Sequence, residues 1–172
     1  MSSTFTKRPP GRITGAGQSG KRRVWSASKA CGVVNFCVDG PRVTVKSSNF
    51  TPSKLIEALR IGLPVGELDD LQARLAMPME KLVPILGISK ATLHRRKATG
   101  RLGQAESDRV VRFAKLLGRA VAVMESVERA RQWLTAPQFG LGGAVPIEYA
   151  ETEVGAREVE DLLGRIEHGV YS

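Results

Sequence analysis

The chain has 172 residues, 42% apolar and 25% charged, enough for one domain or two small ones with a real core. Only 5% is aromatic, so the core must be aliphatic, and no stretch reaches the roughly 18 apolar residues that a membrane span needs. The net charge of +9 points towards a polyanionic partner.

The charge is concentrated at the start. Residues 1–50 carry nine Lys/Arg against one acid, Asp39, a net of +8, and the remaining 122 residues carry a net of +1. The first 25 or so residues are rich in Gly, Ser, Pro and Thr, lack apolar residues at helical spacing, and read as disordered. "GVVNFCVDGPRVTVKSS" has alternating apolar residues about Asp39-Gly40, which leaves room for a short hairpin. Residues 1–50 are thus expected to be a basic, largely flexible arm. Three readings of it stand open: a passive tail, an arm that adds phosphate contacts, and an over-long gene start. No apolar core or small-residue cleavage site follows the basic N-terminus, so a secretory signal is not expected and the protein reads as cytoplasmic. Cys31 and Cys37 then read as free thiols, and His94 and His168 have no partners at metal-ligand spacing, so no metal is expected.

From Thr51 the pattern becomes helical. Thr51-Pro52 supplies a cap and a first-turn proline, and Leu55, Ile56, Leu59 and Ile61 form a short helix ending at Gly62. "GELDDLQARLAM" follows, with Leu68, Leu71, Leu75 and Ala76 on one side and Asp69 and Asp70 early in the helix, where the dipole favours acids. Pro78 opens a third helix, "PMEKLVPIL", whose Pro84 demands that it be very short or kinked. Gly87 turns the chain, Ile88 plugs the gap and Ser89 caps "KATLHRRKATG", which Leu93 anchors.

Two short helices joined by a tight Gly turn, the second rich in Lys, Arg, His, Ser and Thr, make a helix-turn-helix pattern. Its second helix would enter a major groove. The expected DNA-facing residues are Lys90, Thr92, His94, Arg95, Arg96 and Lys97, with Ser89 capping the helix and touching a phosphate. Because one such helix reads few base pairs, a homodimer on paired half-sites is expected, with part of the long helix 104–124 at the dimer contact. In that helix Val110, Phe113, Ala114, Leu117, Val121 and Met124 recur at three and four residues. A short helix up to Leu134 follows, then Pro137 and three glycines. Trp133 and Phe139 read as core residues. Val159, Leu162, Leu163 and Ile166 form the apolar stripe of a terminal helix closed by Gly169.

"RRKATGRLGQAESDRVVRFAKLLGRAVAVM" and "ARQWLTAPQFGLGGAVPIEYAETEVGAREVEDLLGRIEHGVYS" resemble the Xre/MbcA/ParS-type antitoxins of bacterial type II toxin–antitoxin pairs. The most specific pieces are Glu106-Ser107-Asp108-Arg109, Trp133-Leu134, Leu141-Gly142-Gly143 with Pro146, Thr152 with Gly155, and Arg165 to Gly169. The likeness covers residues 53–172. Pro84 departs from the usual second helix.

The resemblance implies an all-α protein: an Xre-like helix-turn-helix domain, here residues 51–115, then a small toxin-binding domain, residues 116–172. It implies two partners, operator DNA of its own operon and a RES-domain toxin that depletes NAD⁺, and no cofactor or enzymatic activity. The outer side of the terminal helix and the chain end, Arg157, Glu158, Asp161, Arg165, Val170, Tyr171 and Ser172, are the expected toxin contacts. A stand-alone regulator, with a C-terminal domain for dimerisation or sensing, is the alternative. An enzyme is remote, because no Ser/His/Asp or Cys/His set and no phosphate-binding Gly loop occurs.

Overall fold

The computed structural model describes residues 32–39 and 52–170, and apart from one bridge between Pro64 and Arg101 its regular elements there are all helical. In chain order these are α1 (Val33–Asp39), α2 (Pro52–Ile61), α3 (Gly66–Leu75), α4 (Met79–Ile85), α5 (Lys90–Thr99), α6 (Gln104–Met124), α7 (Val127–Thr135), α8 (Pro146–Tyr149) and α9 (Glu153–Glu167), with a short 3₁₀ turn at Phe139–Leu141. The expected disorder before residue 26, Cys31, the second half of the expected hairpin, Tyr171 and Ser172 lie outside the described residues.

The long helix α6 is the spine. Its Val110, Val111, Phe113, Ala114, Leu116, Leu117 and Ala120 are buried, and α1, α2, α3, α7 and α9 all pack on it. Its own chain therefore covers most of the apolar surface of the helix that the sequence reading placed partly at a dimer contact, leaving Val121, Val123 and Met124 partly buried. Gln104, Ala105, Asp108, Lys115 and Ala122 are what it leaves exposed. The apolar stripe of α9, Val159, Leu162 and Leu163, closes over α6 as its spacing predicts.

Residues 33–39 depart from expectation, because they form a helix, not a strand of a hairpin. Three valines and seven residues make a poor isolated helix. Tertiary contacts hold it. The carboxylate of Glu67, on α3 and fully buried, accepts the backbone N–H groups of Gly32 (2.8 Å), Val33 (3.3 Å) and Val34 (2.9 Å). These are the donors that a helix start leaves unpaired, and an anion there also suits the helix dipole. Val33 and Val34 are fully buried. The far end of α1 rests on Gly118 of α6, where any Cβ would overlap the carbonyl of Cys37. Residues 32–39 thus belong to the core and not to a flexible arm. Cys37 is a free, half-buried thiol, and burial pushes its pKa up.

The helix α2 runs from Pro52 to Ile61, ending at Gly62 as its pattern predicts. Ile56 and Ile61 are more than half exposed, while Leu55, Ala58 and Leu59 face the core. No helix among the described residues is long and apolar enough to cross a membrane.

Candidate functional site

The tandem α4–α5 forms a helix-turn-helix. Pro84 sits in the last turn of α4 and forgoes the single bond its N–H would have made to Glu80 O, and the chain winds on through bonds from Leu86 N–H to Leu82 O (3.0 Å), Gly87 N–H to Pro84 O (2.7 Å) and Ile88 N–H to Val83 O (3.0 Å). The short-helix outcome follows. Gly87 takes φ +61°, and a Cβ there would lie 2.9 Å from the Arg109 guanidinium. Arg109 donates from one nitrogen to the carbonyls of Leu86 (3.0 Å) and Gly87 (3.1 Å), clamping the turn to α6.

Ser89 caps α5 as expected. Its hydroxyl accepts the Thr92 N–H (3.1 Å) and donates to Thr92 Oγ1 (2.9 Å). This ties Thr92 into the cap and leaves it half-buried. No residue of α5 is buried. Leu93 and Arg96 face the domain, and the outer face shows two adjacent rows: Lys90, His94 and Lys97, then Ala91, Arg95 and Ala98. The basic residues of these rows make no ion pair among the described residues. The small alanines between them let the helix backbone come close to a partner.

Arg96 is placed differently from the sequence reading. Its Nε lies 2.8 Å from Glu106 Oε2 and its Nη2 donates to Glu106 Oε1 (3.1 Å), in a partly buried pair. Glu106 also accepts the Gly103 N–H at the start of α6. Arg96 therefore fastens α5 to α6 instead of extending outward with Arg95. Ser107 is buried, accepts the Leu63 N–H (2.9 Å) and donates to Gly103 O (2.7 Å). Asp108 pairs loosely with Arg112 (3.7 Å). The Glu106–Arg109 run is thus the fixture that orients α5 and the turn before it.

The second surface lies on α9 and the loop before it. Thr152 caps α9 by accepting the Gly155 N–H (3.0 Å), and a Cβ on Gly155 would overlap the Tyr149 carbonyl. One flank of α9 is tied to α6, by Arg112 to Glu153 (3.0 Å) and by Arg119 to Glu167. On the other flank Val154, Glu158, Asp161 and Arg165 are spaced i, i+4, i+7 and i+11, a single stripe. Glu158 and Asp161 are exposed, Arg165 is half-buried, and none of the three has an ion pair among the described residues. Arg157 stands on the outer side and pairs with Glu153 (3.4 Å). Val170 is exposed beyond Gly169, whose φ of +67° ends the helix as predicted.

Phe139 overturns its core assignment: it is 98% exposed. Trp133 does pack partly against the core. The signal lay in the glycines around Phe139, which mark a tight loop more than a core approach. Among the described residues no group of His, Cys, Asp and Glu could hold a metal ion.

Comparison with known proteins bears on both surfaces. Residues 54–115 match the family model of the antitoxin Xre-like helix-turn-helix domain. Residues 119–169 match that of the antitoxin Xre/MbcA/ParS C-terminal toxin-binding domain. Antitoxin Xre of Yersinia enterocolitica is 35% identical over 120 residues, 69% of this chain and 81% of the relative. Antitoxin Xre of Photorhabdus laumondii is 35% identical over 116 residues, 66% and 78%. A protein of Sphingobium sp. named Prs ADP-ribosylating antitoxin is 26% identical over 132 residues, 71% and 83%.

Proposed function

The chain belongs to the Xre-type antitoxin family, and from that premise we propose that it neutralises a RES-domain, NAD⁺-depleting toxin encoded in its own operon and represses that operon through α5. It acts by occupying its partners and catalyses nothing itself. The observation that carries this reading is the presence of two separate outward surfaces on one body. One is the basic face of α5, a helix with no buried residue, and the other is the unpaired stripe of α9 within the part that matches the toxin-binding domain. The relative named for Prs ADP-ribosylation supports NAD⁺ chemistry on the toxin side, because ADP-ribosyl transfer consumes NAD⁺.

On DNA, Lys90, His94, Arg95 and Lys97 supply the contacts, with Ala91 and Ala98 against thymine methyl groups. A two-fold dimer places two copies of α5 on half-sites one helical turn apart. As α6 is largely covered by its own chain, the more exposed Ile56 and Ile61 of α2 are the better dimer contact.

The test is co-expression with the RES-domain protein, scored by growth, cellular NAD⁺ and ADP-ribosylated protein, beside operator binding at fixed salt. Growth rescue with restored NAD⁺ supports the reading. Operator binding with no rescue would leave a stand-alone regulator.

A further inference from the structure

Phe139 is the most exposed large apolar residue among those described, yet it does not sit on a loose loop. Residues 136–144 are closed by backbone bonds from Gln138 N–H to Ala144 O (3.0 Å), Gly143 N–H to Gln138 O (2.9 Å) and Gly142 N–H to Phe139 O (2.9 Å). The Gln138 side-chain amide donates back to the carbonyls of Trp133 (3.0 Å) and Ala136 (3.1 Å), stitching the loop to the end of α7. Gly142 and Gly143 take φ of +66° and +85°, which fixes the turn. Leu141 points inward onto the core, and Gly140 lies so close to α9 that a Cβ would stand 2.6 Å from Leu162 Cδ1.

That last contact locates the loop. Leu162 is four residues from Glu158, one from Asp161 and three from Arg165, so the loop rests along the flank of α9 that carries the unpaired stripe and not the flank tied to α6. A rigid aromatic residue therefore stands beside a row of unpaired polar groups. A bare phenyl ring held in water by a preordered loop can be buried against a partner with little loss of chain freedom. An aromatic anchor with a polar rim is the anatomy of a binding hot spot.

We infer that Phe139 is the apolar anchor with which the C-terminal domain seats in a pocket on the toxin, with Glu158, Asp161 and Arg165 as the surrounding rim. The inference rests on reading this domain as the toxin-binding one, because Phe139 and the stripe both fall inside residues 119–169. The occupant is accordingly a protein with an apolar pocket flanked by charges of both signs.

The experiment measures the affinity of the full-length chain for the purified RES-domain protein of its operon at fixed salt, for wild type, Phe139→Ala and Phe139→Trp. Loss of a hot-spot side chain weakens binding by about 30-fold or more. That loss is expected for Phe139→Ala, with melting temperature and operator affinity unchanged, while Phe139→Trp keeps most of the affinity. A Phe139→Ala affinity within about threefold of wild type overturns the inference. So does a shift from dimer to monomer in light scattering with toxin affinity intact, which would assign the ring to a contact between two copies of this chain. If the wild-type chain itself fails to bind the RES-domain protein, the proposed function falls and takes the anchor with it.

Discussion

Glu67→Ala tests whether α1 is a structural part of the molecule. The substitution removes the buried carboxylate that accepts the amides of Gly32, Val33 and Val34 at the start of α1, at 2.8, 3.3 and 2.9 Å. Hydrogen bonds to a charged group are each worth about 1.5–3 kcal/mol, and the carboxylate's own desolvation offsets part of the total. A net loss of about 3 kcal/mol follows, in line with removing one partner from a buried charged set. For a chain of this size that corresponds to a fall in melting temperature of roughly 6–12 °C. Thermal melts followed by circular dichroism read it directly, with Glu80→Ala, on the exposed side of α4, as the control. The sharper version repeats Glu67→Ala in a chain lacking residues 1–39. There the amides are gone, so the substitution should cost nothing or stabilise, because it removes a carboxylate with no partner left. A melt within about 2 °C of wild type in the full chain, or the same fall in both backgrounds, would refute the account of α1.

The other predictions concern charge. Arg95→Ala should weaken operator binding by about 1–3 kcal/mol for each base pair that Arg95 reads, without changing the melt, whereas Arg96→Ala should lower the melting temperature by releasing α5 from Glu106. Deleting residues 1–31 should leave the fold intact, and if they touch phosphates it should flatten the salt dependence of operator binding by about one unit of slope per phosphate; an unchanged slope would make them a passive tail. Asp70 has its pKa raised, first by burial and then by Glu67, against the opposing pull of Arg74. With a raised folded-state pKa, its stabilising contribution is present in acid and lost as pH rises through that value, so Asp70→Asn should melt higher than wild type at pH 7 and no higher near pH 3.

What could be read from the sequence were features set by near neighbours. The Gly87 turn, the Ser89 cap, the stripe of α9 and its Gly169 stop all depend on residues within one or two turns, so spacing revealed them. Two of the misplaced groups, the α1 valines and Arg96, answer to partners farther along the chain. Val34, Phe36 and Val38 alternate like a strand, and only Glu67 and Gly118 make the segment a helix. Arg96 looks like its neighbour Arg95 until Glu106 folds back beside it. Phe139 followed the usual expectation for an aromatic residue, and the bonds that hold it outward run from Gln138 to carbonyls a turn away. The toxin-facing set on α9 came from the resemblance and the helical wheel together, which explains why it included Arg157, a residue the structure turns to Glu153.

The polar residues of α6 connect the two surfaces. Glu106 holds α5 through Arg96, and Arg109 holds the turn before it, while Arg112 and Arg119 hold α9 through Glu153 and Glu167. From the C-terminal side Arg131 of α7 adds a further tie, donating to the carbonyls of Ala73 and Arg74 where α3 ends. One helix thus orients both the proposed DNA face and the proposed toxin face, though the two surfaces themselves share no residue. A substitution on either face should therefore impair one activity alone. One at Arg109 or Arg112 acts on orientation and should reach past its own end of the helix, because packing this dense passes strain along it. Loss of both activities from a single exposed change on α9 would mean that the two surfaces are not separate, and would contradict the division of labour drawn from α6.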